Sequence, residues 1–423
     1  MNDKKEMSLW EMILDIPNFW KNQASDWKIT VLRTSLERLG YQIILPYLSI
    51  YIIALGATKT QLGTITSLGM LMSGLLAPFA GGFIDRNGPK KIYSFGIMML
   101  FLSYMIYAFA GDWHFCIIAM VMYYFGQGLA NQSCATICGN CLKSCDRARG
   151  MMICESLGAG ILGMIGPMIA AFVLTRILGV SEHDAGASDY RWLFFIAGAF
   201  TLMSLMVVIF KLTNTRFVSG KAMGSNALAI CREIIRNNPN ARKWLVIASI
   251  HNLSVAMVIP YFQVFAKEVK GGGVTVLATM VTLSAVMSTV LGFPAGAMAD
   301  KVGRKKVLYV TSALYWCSMI ILMTARSDFM LILAGGLLGF YYITSPIAGA
   351  VQRELVDNSV MGVWIGLTKF TNAITSAIMA SIAGLIYDRV GPMWVFVIYI
   401  CLDAFVRVPL LRTMPETLDK KNA

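Results

Sequence analysis

One eleven-residue stretch is written twice. Residues 81–91 read Gly81-Gly-Phe-Ile-Asp85-Arg86-Asn-Gly88-Pro-Lys90-Lys91, and residues 296–306 read Gly296-Ala-Met-Ala-Asp300-Lys301-Val-Gly303-Arg304-Lys305-Lys306. Both follow the order Gly, three residues, Asp, basic, any, Gly, any, basic, basic. Both sit directly between two long apolar runs, and 215 positions separate the two aspartates. A chain of 423 residues built this way is one half repeated.

The apolar runs decide the class. Hydrophobic residues make up 57% of the chain, charged ones 14%, and the mean hydropathy is +0.64, which is too apolar for a soluble domain of this length. A helix needs about 20 apolar residues to cross a bilayer. Such runs lie at 29–54, 59–84, 92–111, 114–142, 150–175, 192–212, 244–266, 273–298, 307–325, 328–352, 360–387 and 392–412. The reading is an all-α membrane protein with twelve transmembrane helices in two parallel six-helix repeats. Residues 1–28 form an interfacial N-terminal segment, with Trp10, Trp20 and Trp27 expected at headgroup level. Residues 29–212 are the first half, 213–243 a central loop with a short helix around Ala227–Asn237, 244–412 the second half and 413–423 a tail. Ser8–Trp20 lacks the clean apolar core of a secretory signal, so the N-terminus is expected to stay.

Twelve spans put both termini on one side. The termini and the loops on their side hold 25 of the 36 Lys and Arg residues, and the opposite loops hold seven. The positive-inside rule then makes the termini cytoplasmic, in a multi-pass protein of the inner (plasma) membrane. The net charge of +13 is accordingly topological, and nucleic acid is excluded as a partner. The expected partners are a small-molecule substrate and the lipid bilayer, with the chain monomeric.

A second repeat sharpens the alignment of the halves. Ile43-Ile-Leu-Pro46-Tyr47 in span one matches Met257-Val-Ile-Pro260-Tyr261 in span seven, at an offset of 214. Each half begins on the same side and contains an even number of spans, so the repeats are parallel, related by an axis along the membrane normal.

These two loops resemble the signature loop of the major facilitator superfamily and its echo in the second half. The resemblance runs from about residue 29 to Met414-Pro415-Glu416-Thr417. It implies secondary transport by rocker-switch alternating access. It also implies a cytoplasmic latch in which Asp85 pairs with Arg147 or Arg149 and faces the start of span eleven, where helix-end amides favour an anion. Gly81, Arg86, Gly88, Lys90, Lys91, Gly296, Asp300, Gly303 and Arg304 complete that gate. Gly163-Met-Ile-Gly166-Pro167-Met-Ile-Ala170-Ala171 is similar to the superfamily's antiporter signature, with alanines for its last glycine pair and Leu162 for an earlier glycine. Thr34-Ser-Leu-Glu37-Arg38-Leu-Gly-Tyr41 is similar to a peptide-transporter signature, with Thr34 for its first glutamate. Tyr124-Phe-Gly-Gln127-Gly128 has tyrosine where proton-coupled members often carry arginine.

Charges retained inside spans mark cavities or pairs, since each costs about 2.5–3.5 kcal/mol at the bilayer centre. Here they are Arg33, Glu37 and Arg38 in span one, Glu155 in span five, His251 in span seven, Lys369 in span eleven, and Asp403 and Arg407 in span twelve. The offset of 214 sets Glu37 opposite His251 and Arg38 opposite Asn252. Glu37 and His251 are expected to look into a central cavity, where either can carry a coupling proton; a structural Glu37–arginine pair with a packed histidine is the other reading. Tyr41, Tyr124, Gln127, Asn131, Tyr341, Tyr342, Thr344 and Asn372 complete the expected lining. Asp403 and Arg407, four apart, read as a structural pair.

Cys134, Cys138, Cys141 and Cys145 share one face of span four. Four ligands along about 16 Å of straight helix cannot surround one ion, so they read as packing residues, with no metal and no cofactor beyond a coupling proton. No Gly-x4-Gly-Lys-Ser/Thr loop supplies ATP, and no enzyme activity is expected. The span-five segment favours export of a small drug-like or metabolite compound. Basic cavity groups favour, as an alternative, uptake or exchange of an organic anion. A receptor or scaffold without transport is the third reading, against which the two complete loops argue.

Overall fold

The computed structural model describes residues 16–142, 154, 160, 162–213, 227–357 and 360–416. Arg147, Arg149, Glu155 and Cys145, and the side chains of Asp85, Arg86 and Asp300, lie outside the described residues, so the expected pairing of Asp85 does too.

Every described regular element is a helix, and apart from two short ones, Ile16–Asn22 and Ala227–Asn237, they are arranged along the chain as the expected twelve spans. Span one is Ser25–Ile44 continued by Leu48–Ala54, broken around Pro46, whose ring removes a donor from the ladder. Spans two, three and four are Lys59–Asn87, Pro89–Phe109 and Trp113–Cys141. Span five is described from Leu162 to Phe172 and ends in a π turn, Val173–Ile177; span six is Ala187–Lys211. Span seven runs Pro239–Leu253, a π turn Ser254–Val258 and Ile259–Glu268. Spans eight to eleven are Val274–Val302, Arg304–Thr324, Asp328–Glu354 and Met361–Arg389. Span twelve is Pro392–Leu402, a π turn Asp403–Arg407 and Val408–Thr413. Among the described residues, eight helices are long and apolar enough by themselves to cross a membrane. Span one falls short of that test because Asp26, Lys28, Arg33, Glu37 and Arg38 all lie on it.

Caps and punctuators set the starts. Thr58 and Gln61 form a reciprocal capping box on span two, Asp112 caps span four, and Ser327 caps span ten. Pro89, Pro239 and Pro392 open their helices at the first turn, where their missing N–H would be unpaired anyway.

The repeat seen in the sequence is a repeat of contacts. Ser103 donates to the Ala119 carbonyl at 2.7 Å, and Ser318, 215 positions on, donates to the Ala334 carbonyl at 2.7 Å. In both copies of the duplicated loop a lysine ties the start of the following span to the end of its half. Lys90 Nζ reaches the Leu212 carbonyl at 2.6 Å, and Lys305 Nζ reaches the Arg412 carbonyl at 3.2 Å and that of Met414. The loop's basic residues therefore fasten helices as well as orient the chain.

The second loop glycine is fixed by backbone conformation. Gly88 (φ 85°) and Gly303 (φ 112°) each end one span and cap the next. A Cβ on Gly303 would also meet Glu416 Oε2 at 2.8 Å, and the Glu416 carboxylate accepts from the Arg304 and Lys305 amides at 3.1 and 3.3 Å. Gly303→Ala is expected to destabilise by about 1–3 kcal/mol. Gly296→Ala, where a Cβ meets open space, should leave stability unchanged or slightly raised. Thermal unfolding of both variants in detergent checks this, and equal midpoints would contradict the strain argument.

One expectation changes and another holds. Trp27 is fully buried inside the start of span one, edge-on to Phe19 at 5.7 Å and Trp20 at 5.3 Å, and so is packed within the protein and not presented on its surface. The short helix Ile16–Asn22 brings Phe19 and Trp20 over it and dries it. The central-loop helix is present at Ala227–Asn237 and is anchored on the second half through Ile234, in one cluster with Trp244 and Trp364.

Candidate functional site: a cavity between the halves

The halves meet chiefly where span two packs along span eleven and span five along span eight. Small residues bring the first pair into backbone contact: a Cβ on Gly63 would lie 2.3 Å from the Ala380 carbonyl, and one on Gly384 2.6 Å from that of Lys59. Both contacts lie toward the face opposite the duplicated loops.

That opposite face is closed by two matched sets of bonds. Tyr47 donates to the Val274 carbonyl at 2.9 Å and Tyr261 to the Lys59 carbonyl at 3.0 Å, so each half holds the first turn of a helix in the other. The Glu182 carboxylate accepts from the Thr275 amide at 2.8 Å and from its hydroxyl. The Asp388 carboxylate accepts from the Thr60 amide at 2.7 Å and its hydroxyl at 2.6 Å. Thr60 and Thr275 are 215 apart. Both carboxylates sit at a helix N-terminus, where the aligned peptide dipoles favour negative charge. Lys59 adds an ion pair with Glu268 at 3.0 Å.

On the loop-bearing side the halves part. Added Cβ atoms on Gly292, Gly296, Gly349, Gly362 and Gly366, all near that end of spans eight, ten and eleven, meet open space. A cavity of about 360 Å³ lies there, among spans two, four, seven and eleven. Its polar lining comes from Ser73, Gln127, Asn131, Gln132, Asn252, Lys369, Asn372 and Ser376. Several are pre-set by their neighbours: Asn252 Nδ2 donates to Ser376 Oγ at 3.0 Å, Ser249 Oγ to Asn372 Oδ1 at 3.2 Å, and Gln127 Nε2 to Tyr123 OH at 3.0 Å. Lys369 is exposed, and no carboxylate lines this cavity among the described residues. Tyr124 is the tyrosine of the lining, and further tyrosines pack in the same region of the bundle. Tyr41 stacks on Tyr123 at 5.7 Å beside Tyr124, and Tyr341 packs on Tyr342 at 5.3 Å. Such a site can hold rings on their faces and hydrogen-bonding groups on amides, with one fixed cation.

The family model for the Major Facilitator Superfamily matches residues 32–276 and again 244–422, two overlapping matches that together span nearly the whole chain. The chain belongs to this superfamily. Among relatives, the multidrug resistance protein MdtG of Salmonella paratyphi C (strain RKS4594) is 22% identical over 361 residues, covering 82% of this chain and 83% of the relative. The same protein from Salmonella typhi is 23% identical over 362 residues, with the same coverage. The fold is shared with solved facilitators. The nucleoside transporter NupG, crystallised as a point mutant, superposes with TM-score 0.75 at 12% identity, covering 92% of this chain and 100% of that one. A D-xylose-proton symporter gives 0.72 at 12% identity (93% and 98% covered), and the human organic anion transporter MFSD10 gives 0.62 at 15% (92% and 99%). The chain is thus a multi-pass membrane protein and a secondary transporter.

Within this facilitator the expected lining residues divide. Tyr124, Gln127, Asn131, Asn252, Lys369 and Asn372 line the cavity. Glu37 does not: it is buried and pairs with Arg33 across one helical turn at 3.5 Å. Arg33 in turn lies over the Tyr93 ring at 4.8 Å. His251 is not a lining residue either; it stacks on Tyr341 at 5.0 Å with Nε2 buried and without a partner among the described residues. Equal depth in the two halves is thus not equal orientation, and the pairing of Glu37 with His251 across the cavity is absent from this arrangement. Arg38 is half-buried, Thr344 is buried and bonded to its own helix, and Tyr342 is exposed. Asp403 and Arg407 form a buried pair that also engages Trp316 and Ser312 of span nine.

The closing residues went unread in the sequence although their signal was present. Pro46-Tyr47 and Pro260-Tyr261 served as a ruler, and the tyrosines themselves turn out to be the bonds. Thr60 and Thr275 obey the same offset, while Glu182 and Asp388 look like ordinary loop acids until the fold brings them across the interface.

Proposed function

We propose that this facilitator exports small ring-containing organic solutes that carry an anionic or hydrogen-bonding group, taking them from the cytoplasm by rocking of its halves in exchange for protons. The observation that carries this is the cavity: amide-lined, with Tyr124 in its wall and Lys369 its one charged lining residue among those described. A cation without a lining carboxylate favours solutes that bring the negative charge themselves. The loop-bearing face is read as cytoplasmic because its loops and the termini hold 25 of 36 basic residues. Export is supported by the relatives, which are named multidrug resistance proteins.

For the proton, the surroundings favour His251 over Glu37. Protonating Glu37 would leave Arg33 as a buried cation without its counter-charge. His251 has a free ring nitrogen among the described residues and a neighbour, Asn252, in the cavity wall.

Proteoliposomes with an imposed pH gradient, loaded with a fluorescein-class anionic dye or with cationic ethidium, test this reading. The wild type should move the anionic dye uphill against the proton gradient. A hydrogen bond to a charged group contributes about 1.5–3 kcal/mol, so Lys369→Gln should weaken apparent affinity for that dye by about tenfold or more. His251→Asn should still equilibrate dye yet lose uphill movement. Unchanged dye affinity in Lys369→Gln would remove the cavity assignment. Dye accumulation in the direction of the proton gradient would replace export by uptake.

A further inference from the structure

We propose that Cys134, Cys138 and Cys154 form a binding site for one thiophilic d10 divalent cation of the zinc class, pinning the end of span four to the start of span five. Spans are commonly held by packing alone, and the row of cysteines on span four cannot enclose an ion by itself. The fold removes that objection by bringing a third thiol from another helix. The three Sγ atoms lie within 4.8 Å of one another. With metal–sulfur bonds near 2.3 Å, three thiolates around one ion stand about 4 Å apart, so small rotamer shifts suffice to close the site. Cys138 and Cys154 are buried and Cys134 half-buried, out of the transport cavity.

The surroundings favour a soft ion over a hard one. No carboxylate or imidazole joins the group among the described residues, and thiolates select soft or borderline metals. The Thr34 hydroxyl lies 3.8 Å from Cys154 Sγ and 4.0 Å from Cys134 Sγ, placed to complete a fourth position. Charge argues for a divalent ion. Three thiolates on a divalent ion leave one negative charge, and Arg33, on the next residue, retains two guanidinium nitrogens (Nε and Nη2) unbonded among the described residues. A monovalent ion would leave two negative charges beside one arginine that Glu37 already engages. Phe19, Trp27 and Leu142 pack in the same cluster and keep water away. Binding releases the three thiol protons to solvent, so it strengthens as pH rises toward the thiol range.

The experiment titrates Cd(II), a spectroscopic stand-in, into reduced, chelator-stripped protein in detergent. One equivalent should produce a saturating thiolate-to-cadmium charge-transfer band and raise the thermal midpoint. Cys138→Ser and Cys154→Ser should each weaken binding by tenfold or more, while Cys317→Ser and Cys401→Ser retain it. In case a serine variant misfolds, the wild type supplies a second readout: one equivalent of Zn(II), itself spectroscopically silent, should prevent the cadmium band from forming. A band that survives Cys154→Ser, or one that never saturates at one equivalent, overturns the site. Binding of Cu(I) without any of Cd(II) overturns the divalent assignment.

Discussion

Asp403→Ala is expected to cost about 3–5 kcal/mol, because it strands a guanidinium inside the second half. Asp403 is 0% exposed and Arg407 3% exposed. The carboxylate accepts from Arg407 and, at 2.8 Å, from the Trp316 indole, and Arg407 also donates to Ser312, so the pair joins span twelve to span nine. The expected result is a collapse in the yield of monodisperse protein and a much lower thermal midpoint. Replacing both charges together, by Asp403→Leu with Arg407→Met, should recover most of the loss, since an apolar pair of similar volume needs no desolvation. A single variant as stable as the wild type would show that the arginine finds another partner or water.

The second large effect falls on conformation. In Glu182→Ala with Asp388→Ala, both helix starts across the closed face lose the carboxylate that the other half adds to them. Each such carboxylate contributes about 0.5–2 kcal/mol, so losing the pair should shift the balance away from this closed face by about 1–4 kcal/mol, roughly 5- to 1,000-fold in population. Spin labels at His183 and Val269, exposed on either side of that face, report it as a longer inter-label distance. An unchanged distance distribution would mean that the tyrosine bonds and the glycine packing hold the face shut without the acids.

How much of this was legible follows from what a sequence encodes directly. Repetition is a one-dimensional property, so the two loops and the Pro-Tyr pairs delivered two halves, twelve spans and the depth of each charged residue. Depth is set by counting along a helix, but direction is not. Successive residues point about 100° apart, so an error of one position turns a side chain from cavity to core. Asn252 lines the cavity while His251, one residue earlier, stacks into the tyrosines. The π turn at Ser254–Val258 in span seven has no counterpart in span one, which breaks at Leu45–Tyr47 instead, so equal offset does not carry over to equal direction. Cys154 was invisible as a partner of Cys134 for a related reason: its contact exists only after spans four and five have packed.

The crossed tyrosines carry one further consequence. Tyr47 and Tyr261 each end on a backbone carbonyl of the opposite half, at Val274 and Lys59. No side-chain change at those two acceptors can abolish the bond. Because the two bonds are exchanged by the axis relating the halves, a rotation that strains one strains the other equally. Opening should therefore be all-or-none, with both bonds surviving or both lost, and a single Tyr47→Phe or Tyr261→Phe should lower the threshold for the whole face instead of leaving it ajar on one side.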